Sequence, residues 1–118
     1  MIIQAGINDL LYGREGVNAE EVAKSVVEIG KRAKDSGVSD VFIMGLYKVD
    51  GVNTVGFNNF LKQKCMQYNF GFVHNSNIYK SDLFDGLHVN RQGNDKLKHN
   101  LLQSFDTYYC NEYSNAYY

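Results

Sequence analysis

The sequence predicts an α/β chain in which a parallel sheet of about three strands carries flanking helices. Three observations carry this reading. Continuous apolar runs of strand length occur at residues 1–5, 41–47 and 70–73. Runs that are apolar on both faces fit buried parallel strands better than half-exposed antiparallel ones. The intervals between them hold apolar residues at helical spacing, and strands that alternate with helices build a parallel sheet with right-handed crossovers.

Each element has its own signal. Met1 to Ala5 is apolar apart from Gln4, and Gly6 breaks the run. Residues 19–36 place Val22, Val26, Ile29 and Ala33 on one stripe, with Ala23, Val27 and Gly30 beside it, which is helical spacing. Asn18 suits the N-cap, Glu21 stands at the third helical position as in a capping box, and Gly37 suits the C-terminal stop. Val41 to Tyr47 (VFIMGLY) is the second strand, and residues 48–54 read as a loop. Phe57, Phe60, Leu61, Cys65 and Tyr68 then recur at helical spacing and read as core. Phe70 to Val73 is the third strand, followed by a polar loop over 74–83. From Asn90 the pattern is helical again, with Leu97, Leu101, Leu102 and Phe105 on one face. The chain divides into a body, 1–106, and a Tyr/Asn-rich tail, 107–118, whose tyrosines at 108, 109, 113, 117 and 118 read as a tail and not as packed residues.

Composition excludes several classes. With 118 residues the chain is one small domain or part of one. A net charge of −1 with interleaved signs offers no footprint for nucleic acid or a membrane surface. No apolar run reaches the ~18 residues of a membrane helix, and residues 1–5 are too short for a secretory signal. The compartment stays open, cytoplasmic by default. Cys65 and Cys110 match no metal or redox spacing. They read as reduced thiols, a disulfide between them staying open. No cofactor or metal is implied. Proline is absent, and no physical reason for that emerges.

Two short stretches carry chemistry. The first is Gly6-Ile7-Asn8-Asp9, directly after the first strand. A glycine there lets backbone approach a ligand, and the Asn8 amide can donate to an oxyanion formed in front of the sheet. Taken alone, Asn8-Asp9 is more simply a turn. The second is Asp85-Gly86-Leu87-His88, before the last helix. Of the three histidines, His88 has an acidic residue at a short, loop-compatible spacing. A carboxylate that accepts from an imidazole fixes its tautomer and suits it to general-base work. Taken alone, this is more simply a surface histidine at a helix start. His74 ends the third strand near the same edge, and His99 falls on the solvated side of the last helix. In open parallel sheets the working site lies outside the carboxyl ends of the strands, where both stretches fall.

Together the stretches "QAGINDL" and "DGLHVNRQGNDKL" resemble the C-terminal part of an SGNH (GDSL-type) hydrolase domain, over about residues 2–105. That family has a flavodoxin-like three-layer fold and mainly cleaves carboxylic esters. Its G-x-N-D block is matched by Gly6, Asn8 and Asp9, and its D-G-x-H-x-N-x-x-G block by Asp85, Gly86, His88, Asn90 and Gly93. The resemblance implies His88 as base, Asp85 as its orienting acid, and Asn8 with Gly6 on the oxyanion side. It also implies a serine in a G-D-S block upstream, and no Gly-Asp-Ser occurs in these residues. Ser25 lies inside a helix, Ser36 and Ser39 flank a turn, and Ser76 and Ser81 are loop residues. Ser81 lacks the strand–turn–helix setting that aims a nucleophile.

The expectation is therefore a flavodoxin-like three-layer sandwich truncated to about three parallel strands. It would be an esterase-type fragment, inactive alone for want of the serine, whose substrate when completed is a small ester. The alternatives are a non-catalytic remnant (a pseudoenzyme) or binding module, and an unrelated flavodoxin-like domain. In the family order 2-1-3-4-5, strand 1–5 becomes an exposed apolar edge, so self-association is expected.

Overall fold

The computed structural model describes residues 1–7, 10 and 18–116, of which 111–116 by backbone alone. Strands β1 (Ile2–Ile3), β2 (Phe42–Met44) and β3 (Gly71–Val73) form one parallel sheet in the order β1-β2-β3. Three helices are described: α1 (Ala19–Asp35), α2 (Thr54–Tyr68) and α3 (Arg91–Ala116). The architecture is the expected α/β one, and its strand order fits the last three strands of a 2-1-3-4-5 sheet. The strands are shorter than their apolar runs because paired backbone ends before the apolar side chains do.

Register decides the layers. Phe42 lies opposite Ile2 and Gly71, and Ile43 opposite Ile3 and Phe72. Side chains alternate across a strand. Ile3 and Ile43 therefore join Val22, Ala23, Val26, Val27, Phe57 and Leu61 in one core under α1 and α2. Two right-handed crossovers that step the same way across a sheet put their helices on the same face, and α1 and α2 do share this core. Phe42, Met44 and Val73 face the other way, against Leu97, Leu101, Phe105 and Tyr108 of α3. A Cβ on Gly71 would lie 2.2 Å from the Phe42 ring, so glycine makes the room in which that ring turns toward α3.

The helix ends follow their signals. Asn18 Oδ1 accepts from Glu20 N at 2.7 Å and not from Glu21 N, so the cap forms without the expected capping box, and Gly37 turns at φ +106°. Helix α2 begins three residues before Phe57, capped by Asn53, whose Oδ1 accepts from Gly56 N. The expectation of a tyrosine tail over 107–118 is corrected as far as residue 116, where α3 ends, while Tyr117 and Tyr118 lie outside the described residues. Tyr108 packs edge-on against Phe42 at 4.9 Å, and Tyr108 and Tyr109 both donate to Asp40. The reason is tertiary, since the faces of Phe42 and Phe105 need aromatic cover that polar neighbours in sequence do not announce. Cys65 and Cys110 are both free, and burial pushes the Cys65 thiol up to about 12.

Among the described residues β1 has no partner on its outer edge, and Ile2 there is 46% exposed. Ile2→Lys is expected to weaken self-association about tenfold or more, since an Ile side chain contributes about 1.5–3 kcal/mol on burial. Sedimentation velocity checks this; a wild-type chain that stays monomeric at high concentration contradicts it. No helix among the described residues is long and apolar enough to cross a membrane.

Candidate active site

The segment that follows β3 is a polar scaffold. Asn75 is buried; its Nδ2 donates to Gly45 O at the end of β2, and its Oδ1 accepts from Asn100 Nδ2 of α3. Asn100 also exchanges bonds with Asn77. A short 3₁₀ turn, Lys80–Asp82, follows. From Asp82 the chain forms a small hairpin: Asn90 N donates to Asp82 O, Phe84 N donates to His88 O, and Leu83 pairs antiparallel with Val89. Asn90 ends the hairpin. Its Oδ1 accepts from Gly93 N in the first turn of α3, and its Nδ2 donates to Ser81 O.

His88 and Asp85 meet inside this hairpin. Gly86 adopts φ +80°, a left-handed turn that favours glycine. The turn folds Asp85 back on the backbone, where Oδ1 accepts from Leu87 N at 2.9 Å and His88 N at 2.6 Å. The other oxygen, Oδ2, accepts from His88 Nδ1 at 2.5 Å. The backbone and side-chain bonds from His88 hold the Asp85 carboxyl down at about 2. Ionised at neutral pH, Asp85 is acceptor-only. Nδ1 therefore carries the proton, and Nε2 is left as the basic nitrogen. Nε2 has no partner among the described residues, and the His88 side chain is 64% exposed. The Phe84 ring stacks on the imidazole, 5.8 Å between centroids.

The hairpin is tied to the sheet by Tyr47, three residues beyond β2, whose hydroxyl donates to Leu87 O at 2.6 Å. Burial, and then the nearby Asp85 charge, raise the Tyr47 hydroxyl above its ordinary value. His88 thus stands at the carboxyl end of the sheet. Gly6 lies at the same edge, behind β1, with φ +108°. A Cβ there would lie 2.8 Å from the Phe57 ring. Asn8, the expected oxyanion donor, and Asp9 lie outside the described residues.

The remaining candidates fall elsewhere. His74 rests edge-on against Phe72 and lines a separate groove of about 480 Å³ with Lys62, Met66 and Ser104. Burial and the Lys62 charge lower its imidazole. His99 is exposed on α3. Hydroxyls of Ser25, Ser36 and Ser104 donate to backbone carbonyls. Ser81 is exposed in the 3₁₀ turn. Among the described residues no cluster of three or more His, Cys, Asp or Glu is placed to hold a metal.

Asp85 also sets a pH dependence. Its carboxyl stands near 3.9 when unfolded and about 2 when folded. The stabilisation is therefore fully present above about pH 4 and lost as pH falls from there through about 2. Urea midpoints of wild type and Asp85→Asn are expected to differ above about pH 4 and converge near pH 2. A constant gap across that range would contradict the pairing.

No family model, no curated protein and no solved structure matches the chain.

Proposed function

We propose that this chain carries the acid–base end of an SGNH-type carboxylic ester hydrolase. One observation supports the reading above the rest: the 2.5 Å His88 Nδ1–H to Asp85 Oδ2 bond, which leaves Nε2 basic and open to solvent. In the proposed reaction Nε2 takes the proton of a serine hydroxyl as that oxygen attacks the ester carbonyl. Asp85 stabilises the imidazolium, and the imidazolium returns the proton to the departing alkoxide. Water then repeats the cycle on the acyl-enzyme. Asn8 and Gly6 are proposed for the oxyanion side. The proposed reaction requires a serine from outside residues 1–118, since these contain no Gly-Asp-Ser.

The test uses the longest natural reading frame that contains these residues. Expressed whole, it is expected to hydrolyse a short-chain aryl ester and to lose that activity in His88→Ala. Equal rates in the two proteins would overturn the reading. A non-catalytic binding module is the second reading, favoured by the missing serine, and equal background rates would support it.

A further inference from the structure

Asp82 lies outside both motif blocks and Lys96 lies three residues past the end of the second, yet they meet beneath the His88 hairpin. Asp82 is fully buried, at 0% exposure. Its Oδ2 accepts from Lys96 Nζ at 2.7 Å and from Tyr79 N at 2.9 Å. Lys96 Nζ also donates to Asn77 O at 3.0 Å and lies 5.1 Å from the Tyr79 ring. The second carboxylate oxygen, Oδ1, is buried with no partner among the described residues. A buried ion pair is weak evidence for stability, because desolvation offsets the attraction, and fixing a geometry is a better-supported use for it.

The geometry at stake is the foot of the hairpin. Asp82 O accepts from Asn90 N, which closes the hairpin from the other side. The first turn of α3 presses on that same carbonyl: a Cβ on Gly93 would lie 2.4 Å from Asp82 O. Lys96 follows on α3, so its ammonium holds the Asp82 carboxylate from the helix while Asn90 caps that helix. Both strands of the hairpin are thereby fixed to one rigid element.

We propose that Asp82 and Lys96 are positioning residues for His88. Together they hold the hairpin in the one arrangement in which Asp85 folds back onto the His88 backbone and imidazole. The inference rests on reading His88 as the base, and its test reads geometry and not turnover.

The test is the ¹³C titration of the Asp85 carboxyl, which interacts with the titratable groups of His88 and Tyr47. In the wild-type chain the midpoint is expected at about 2. In Asp82→Asn and in Lys96→Met, each shown to be folded by circular dichroism, it is expected to rise by about one unit or more toward the ordinary ~3.9. Lys96→Arg, which keeps the charge, is expected to restore the low midpoint. Should Lys96→Met unfold, Lys96→Gln, with a neutral donor, is expected to give the same rise. A midpoint that stays at the wild-type value in the folded neutral variants would overturn the proposal. So would an ordinary midpoint in the wild type. A longest natural reading frame that hydrolyses no ester, in a protein that shows the shift, would overturn the functional reading and leave the positioning role standing.

Discussion

Under the proposed function, His88→Ala is expected to lower ester hydrolysis by the longest natural reading frame about 10²–10⁴-fold, the ordinary contribution of a positioned general base. Removing the imidazole leaves the serine hydroxyl protonated and the departing alkoxide without a proton donor, while substrate contacts elsewhere persist. The loss therefore falls on kcat, with KM nearly unchanged. Asp85→Asn separates orientation from basicity. An asparagine can present an N–H₂ where the imidazole needs an acceptor, which favours the tautomer with the proton on Nε2. In buried triads that change costs about 10⁴ in rate. Here the two side chains are 64% and 40% exposed, water can substitute in part, and a loss near about 10² is expected. Steady-state kinetics of both variants on one aryl ester gives the comparison. An Asp85→Asn loss larger than that of His88→Ala would contradict the assignment of roles.

Phe57→Ala is expected to destabilise the fold by about 3–5 kcal/mol, the range for truncating a buried aromatic ring. Phe57 is 0% exposed and packs with Val22, Val26, Ile43 and Leu61 in the core under α1 and α2. Its ring also fills the space in front of Gly6, so the cavity opens beside the proposed oxyanion segment. Domain stability is typically about 5–15 kcal/mol, and a loss of this size removes a large part of it. Urea unfolding followed by circular dichroism measures it. A loss under about 1 kcal/mol would mean that the α1–α2 face repacks around the missing ring.

The layers of the fold were legible because parallel strands and amphipathic helices leave periodic marks. Asn18 and Gly37 bracket α1 as read, and VFIMGLY is apolar throughout because Phe42 and Met44 face α3 while Ile43 faces α1 and α2. Helix α2 takes in Thr54, the last residue of the stretch that reads as a loop, and Asn53 before it is a usable cap signal. The tyrosine end was misread for a different reason. Tyr108 and Tyr109 gain their place from Phe42 and Asp40, which are distant in sequence, and no local period reports such contacts. The site divides the same way. Asp85 and His88 were visible because they interact across one turn. Tyr47 and the Asp82–Lys96 pair were not, since each joins segments that only the folded sheet brings together.

The most direct measurement of the central claim is where a fluorophosphonate attaches. The protein expressed from the longest natural reading frame is treated with an alkyl fluorophosphonate, digested, and mapped by peptide mass spectrometry, with His88→Ala in parallel. The expected result is one adduct, on a serine within a Gly-Asp-Ser sequence outside residues 1–118, formed at least about 10²-fold more slowly in His88→Ala. An adduct that forms at the same rate in both proteins, or none in either, would contradict the assignment of His88 as the base of an acyl-transfer site.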